Sequence, residues 1–223
     1  MANKKMYDMI APLLMSQESG TISAPEYAIE SPRSRVQETL DFIVELVKIV
    51  AICASFLIVV RWFLFQPFIV KGSSMEPNFY NDEYLIIYEL SYHFPKVFKV
   101  FSEDNRGRVL IVHPPTDPKE FYIKRLIGLP GERVRIYDGR VTIYNDTHPD
   151  GLMLDESYLP YGLQTFPGNS EEVTLGLDEI YVLGDNRGAS LDSRRIGPIP
   201  VKNVIGEPVI RGWPLQRIGF ISR

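Results

Sequence analysis

The rhythm of apolar and polar positions changes twice along the chain. Through residue 37 the two kinds mix without a period. Ser16-Gln17-Glu18-Ser19-Gly20 and Ser31-Pro32-Arg33-Ser34-Arg35 set the tone, and the apolar patch from Met9 to Met15 is short and broken by Pro12. This composition predicts a mobile arm over residues 1–37 with one short helix at its start. Residues 38–67 are apolar instead. Ile49 to Val60 is free of charge, and Val44–Val47 with Trp62–Phe65 extends the run to about 20 residues, apolar on every helical face. Glu45 and Lys48 are spaced to pair on one face, and Arg61 can snorkel beside Trp62 at the far end. The pattern predicts a transmembrane helix over 38–67, stopped by Pro67. The competing reading is a core helix of a soluble protein, which the all-round apolar surface opposes. The run begins too late for a cleaved signal peptide, and no small-x-small site follows it. Lys4, Lys5, Arg33, Arg35 and Lys48 precede its centre, which puts the N-terminus in the cytoplasm and residues 70–223 outside.

From Phe68 onward the rhythm is that of strands. Tyr84–Tyr88, Arg108–Val112, Phe121–Ile123 and Ile180–Leu183 are short β-prone runs bounded by turn residues. Arg133–Tyr137 and Arg140–Tyr144 flank Asp138-Gly139, a type I′ hairpin signal. Val204-Ile205 and Pro208–Ile210 close the series, and no long amphipathic helix interrupts it. Residues 68–223 are therefore expected to form a mainly β domain, an antiparallel sandwich or coiled sheet. Residues 145–178 hold many Gly, Pro and acidic residues and read as a long excursion. Asn145-Asp146-Thr147 within them matches a glycosylation acceptor triplet.

Composition narrows the classes. With 223 residues, 45% of them hydrophobic, the chain can bury one sizeable core. The net charge of −4, with no basic block or basic helix face, gives no footprint for nucleic acid. The single cysteine, Cys53, excludes an internal disulfide and a cysteine metal site. His93, His113 and His148 lack metal-ligand spacing, so no metal or cofactor is expected. Nothing marks an oligomeric state.

Three stretches can carry chemistry. In Phe68-Ile69-Val70-Lys71-Gly72-Ser73-Ser74-Met75-Glu76-Pro77-Asn78, two serines sit on a turn bounded by Gly and Pro. Such a turn can present a nucleophile with backbone N–H groups beside it, or it can be a plain Gly-Ser turn. A serine hydroxyl needs a base, and the best-placed lysine is Lys124, at the end of an apolar strand and before Leu126-Ile127-Gly128-Leu129-Pro130-Gly131. Desolvation there would lower its pKa toward that of a general base. The third stretch, Gly184-Asp185-Asn186-Arg187-Gly188-Ala189-Ser190-Leu191-Asp192-Ser193-Arg194, is dense in short polar groups. It can orient a lysine through Ser190 and brace itself with an Asp192–Arg194 pair.

These three stretches, in this order, resemble the nucleophile, base and third boxes of bacterial type I signal peptidases, the serine–lysine membrane proteases. Arg106–Val112 is similar to the strand before the base box, and the likeness covers roughly residues 60 to 212. The resemblance implies that Ser74, not Ser73, is the nucleophile and that Lys124 is the general base. It implies that Ser190 orients Lys124, that Asp192 and Arg194 brace the third box, and that the Ser74 N–H donates to the oxyanion. It implies that Val70, Met75, Phe79 and Ile123 line the substrate's small side chains. Some members add a serine donor where this chain has Gly72. Asn78 stands where threonine is usual, and Arg108 where an acidic residue is usual. The implied protein is a single-pass enzyme of the cytoplasmic membrane. Its partners are the lipid bilayer and signal-peptide-bearing preproteins, which it cuts on the extracytoplasmic side. Three other readings compete. A histidine-based relative would need a histidine at position 124. A peptide-binding β-domain would lack one member of the pair. A soluble self-cleaving repressor would lack the apolar run.

Overall fold

The computed structural model describes residues 35–63, 65–95 and 99–221, so the expected arm lies outside the described residues up to residue 34. The first element is α1, Arg35–Phe63, 29 residues and about 43 Å long. Its apolar side chains are exposed, Phe42 and Ile52 at 69% and Phe56 at 66%. By length and composition α1 can cross a membrane. Glu45 and Lys48 pair at 3.5 Å. Thr39 and Ser55 donate to the carbonyls of Arg35 and Ala51, so neither hydroxyl is left unsatisfied on an apolar surface. One expectation is corrected. The helix stops at Phe63, and Pro67 belongs to the following strand β1, Phe65–Ile69. Among the described residues that strand pairs only with β2 (Tyr84–Tyr88) and forms the edge of its sheet, the place where a proline's missing N–H costs no ladder bond.

The rest is antiparallel β. The larger sheet adds β3 (Val109–Val112), β4 (Tyr122–Gly128), β9 (Glu179–Leu183), β10 (Ile199–Pro200) and β11 (Val204–Trp213) in the order β1-β2-β11-β3-β4-β9-β10, with β12 (Gly219–Phe220) on β11. The smaller sheet runs β7-β6-β5-β8, from β5 (Arg133–Tyr137), β6 (Arg140–Tyr144), β7 (Leu152–Met153) and β8 (Glu172–Thr174). Two one-turn helices follow β2 and β9: α2 (Leu90–His93) and α3 (Ser193–Ile196). The hairpin between β5 and β6 turns through Asp138 and Gly139, both at positive φ (50° and 75°), as a type I′ turn requires.

β3 shows why its four residues are all apolar. Leu110 and Val112 enter a core with Leu126, Val182 and Ile199 on one face, while Val109 and Ile111 enter another with Leu85, Ile87 and Ile123. A strand covered on both faces loses the apolar–polar alternation of a half-exposed one. A third core joins the two sheets through Ile127, Tyr181 and Leu183 against Val134, Ile136, Val141 and Ile143. The excursion after β6 contributes only β7 and β8, each of two or three residues. Within it, the Asn145 side chain is held by Glu132 and Glu103 and accepts from the His148 N–H, so its amide serves the interior of the fold.

Candidate active site

Ser74 sits in a compact turn after β1. Asn78 and Phe79 both donate from the main chain to the Met75 carbonyl, and Glu76 donates to Ser73. The base of the turn is closed by the Gly72 N–H on the Asn81 side chain and by main-chain bonds of Val70 with Glu83 and Asp82. Met75 and Phe79 face inward, 1% and 3% exposed, and anchor the turn on Leu85, Ile87, Val109 and Ile111. Ser74 is left half-buried, and its main-chain N–H has no partner among the described residues. It is thus a free donor beside the hydroxyl.

Lys124 reaches this turn from β4, paired on one side with Leu110 of β3. Its Nζ donates to Ser74 Oγ at 2.7 Å and to the carbonyl of Ile123 at 2.9 Å. The side chain is buried, with Nζ 5.2 Å from the centre of the Tyr122 ring. Burial pushes its pKa down to about 8, against the upward pull of Asp192 and then Asp185. No carboxylate forms an ion pair with it among the described residues. The reason is that each nearby acid already has an arginine. Asp185 takes Arg125 Nε and Nη2 at 2.7 and 2.5 Å, and Asp192 takes Arg194 Nε and Nη2 at 2.9 and 2.8 Å. Burial opposes the charge of Asp192. The guanidinium and the Gly184 N–H outweigh it and hold the carboxyl below its usual range.

The loop between β9 and α3 closes the site. Its Asn186 donates from the main chain to the Ser74 carbonyl at 3.0 Å and from the side chain to the Ser73 carbonyl at 3.2 Å. Gly184 runs so close beneath that a Cβ there would lie 2.1 Å from Ser190 Oγ and 2.5 Å from the Ser74 carbonyl oxygen. Ser190 Oγ is buried against Gly184, close enough to Asp192 to help hold its carboxylate charged, and among the described residues it makes no bond to Lys124. Arg187 fixes the loop from outside by bonding Glu156, Thr165 and the Gly184 carbonyl.

Around Ser74 and Lys124 lies a cavity of about 330 Å³ walled by Phe68, Phe121, Tyr122, Ile123, Ala189 and Leu191. Of the four residues expected to line the substrate, Ile123 faces this cavity; Val70, Met75 and Phe79 lie in the core beneath the turn. None of the three histidines lines it. His113 is held by the Glu120 carbonyl and tilts against Phe121, His93 faces Glu89, and His148 faces Glu103. Lys71 lines the rim but is exposed and paired with Asp82. Arg108 Nη1 donates to both carboxylate oxygens of Glu207. The sequence reading passed over Arg125, Asp185, Asn186 and Gly184. All four lie inside the stretches singled out for chemistry, but nothing in their spacing says that they hold the two stretches together.

Comparison with known proteins gives the family. Residues 43–213 match the family described as signal peptidase, peptidase S26. A signal peptidase I of Leptolyngbya laminosa is 32% identical over 217 residues, 93% of this chain and 98% of that one. The signal peptidase I of Bacillus caldolyticus is 33% identical over 77% of this chain and 91% of its own length. Signal peptidase I P of Bacillus subtilis subsp. natto is 29% identical over 79% of this chain and 92% of its own. With a family match over most of its length and relatives this similar over three quarters of the chain or more, the chain belongs to the signal peptidases of peptidase family S26 and is a serine-type hydrolase.

Proposed function

We propose that the chain is a single-pass, membrane-bound endopeptidase that removes signal peptides after small residues, with Ser74 as nucleophile and Lys124 as general base. The observation that carries this is the 2.7 Å hydrogen bond between Lys124 Nζ and Ser74 Oγ, made by a buried lysine with no acid against it. In its neutral form Lys124 accepts the Ser74 proton as Oγ attacks the scissile carbonyl. The unpartnered Ser74 N–H is in position to donate to the oxygen that becomes negative. The protonated Lys124 then gives its proton to the leaving amine of the mature chain. A water that loses a proton to Lys124 attacks the acyl-enzyme, Lys124 returns that proton to Ser74 Oγ as the ester bond breaks, and the signal peptide leaves as a free acid. Ser190, a buried neutral hydroxyl, is the group proposed to orient Lys124. Val70, Met75 and Phe79 support the substrate surface from below, and Ile123 faces it. No step calls on a cofactor or metal.

The test is direct cleavage. The detergent-solubilised full chain, incubated with a preprotein carrying Ala-x-Ala before the cut, yields a new N-terminus immediately after the second alanine. Ser74→Ala and Lys124→Ala each abolish it, and the double variant is no worse than either single one, because the pair acts as a unit. A Lys124→Ala protein that still cuts would refute the base assignment.

A further inference from the structure

We propose that Asn78 is a positioning residue for the serine–lysine pair, its single carboxamide tying the turn that carries Ser74 to the Arg125–Asp185 ion pair beside Lys124. This rests on the reading of Ser74 and Lys124 given above.

Asn78 belongs to the same turn as Ser74, since its main-chain N–H bonds to the Met75 carbonyl. Its Nδ2 donates to Asp185 Oδ2 at 2.8 Å and to the Tyr158 carbonyl at 2.9 Å. Both partners are acceptors, so only the amide nitrogen can face them, and both its protons are in use. Asp185 is fully buried, and its two oxygens also take Arg125. Arg125 is the chain neighbour of Lys124 on β4, and Asp185 is the neighbour of Asn186, which holds the Ser74 carbonyl. One side chain thus reaches the support of both members of the pair. The other side of Asn78 is fixed too: its carbonyl accepts from Arg211 and Arg217, both bound to Glu83.

The identity of the residue matters. Threonine in its place would have one hydroxyl proton and could satisfy one of the two acceptors. Asparagine satisfies both, and the second is the main chain of Tyr158, in the excursion between β7 and β8. The Tyr158 ring lies under the Arg125 guanidinium, 3.9 Å from its centre, so the extra bond holds the stack as well as the turn. The charged groups around the pair are Arg125 with Asp185, Arg187 with Glu156, and Arg194 with Asp192. Removing a donor from Asp185 leaves its charge less compensated, and Lys124 feels that charge.

The experiment compares Asn78→Ala and Asn78→Thr with the natural full chain in detergent, measuring kcat, KM, the pH dependence of kcat and the melting temperature. Asn78→Ala is expected to lower kcat about 10- to 100-fold at neutral pH, because slight misplacement of reacting groups is costly. KM should change less than about threefold. The acid limb of kcat should move up by about half a pH unit, as Asp185 favours the protonated lysine. Asn78→Thr, which keeps one donor, should recover most of kcat and most of the limb. A lower melting temperature with an unmoved acid limb would overturn the proposal, as would wild-type kcat in Asn78→Ala. If Asn78→Ala does not fold, Asn78→Val, which has the size of threonine and no donor, decides: an unmoved limb refutes the link to Asp185, and a raised limb at reduced kcat supports it. Ser74→Ala is run alongside. If it still cuts, the reading of the pair fails; if it is dead while Asn78→Ala behaves as wild type, only this proposal fails.

Discussion

Lys124 must be neutral to act as a base, and the fold makes neutrality cheap by burying it to 4% exposure while giving Asp185 and Asp192 to arginines. With its pKa pushed down to about 8, cleavage should rise with pH through that value rather than through the ordinary lysine range near 10.5. A kcat/KM profile checks this, and a flat profile between pH 7 and pH 9 (about one unit either side of that value) would contradict it. Lys124→Arg should be inactive throughout, since guanidinium keeps its proton. The same burial has a cost in stability. The unfolded chain binds the lysine proton more tightly than the folded one. The penalty is therefore complete below about 8 and fades as pH rises toward 10.5. Lys124→Met should then be inactive yet more stable near pH 7, by about 1–3 kcal/mol after the loss of the Ser74 and Ile123 bonds is counted. Thermal denaturation across this pH range should show the gain shrinking as the solution becomes alkaline.

At the scale of elements, the site is a meeting of one turn, one strand and one loop. β4 is a central strand: Arg125 is held by ladders to β3 and β9 on both sides, and Lys124 by its pairing with Leu110 of β3. The turn at Ser74 is held by its own bonds and by the loop from β9, through Asn186. Gly184 sets how closely that loop can lie. Gly184→Ala would drive a methyl into Ser190 Oγ and the Ser74 carbonyl, and a backbone oxygen cannot swing aside as a side chain can. The expected outcome is a loss of about 1–3 kcal/mol of stability and most of the activity. Adding Ser190→Ala should not restore it, because the contact with the Ser74 carbonyl remains. Recovery in the double variant would show that the carbonyl contact is unimportant.

At the scale of the whole molecule, the chain joins an apolar helix to a β unit that carries the chemistry. Basic residues gather before the centre of α1, at Arg35 and Lys48 and in the segment ahead of it. On that bias we expect residues 65–223 on the outer side of the cytoplasmic membrane. Protease added to intact spheroplasts should degrade the β unit and leave the residues before α1 intact. Protection of the β unit would reverse the orientation.

Much of this was legible before any coordinates. Apolar run length, strand rhythm, the Asp-Gly turn and the three polar stretches are local properties, and local physics is written in consecutive residues. The hairpin at Asp138-Gly139 and the all-round apolar α1 followed from that directly. The end of α1 did not: Pro67 can stop a helix or sit on a sheet edge, and only pairing with Ile86 on β2 decides between them. The same holds for the site. Ser74 and Lys124 lie 50 positions apart, and Asn78 and Asp185 lie 107 apart. Such contacts arise because inner strands such as β3 are covered on both faces, and the strand order that covers them brings β4, the turn after β1 and the loop after β9 together. By itself the sequence determined the kinds of elements and the residues able to do chemistry. Which acid each arginine neutralises, and which residues wall the cavity, were decided by tertiary packing, because those partners meet only when distant strands pair.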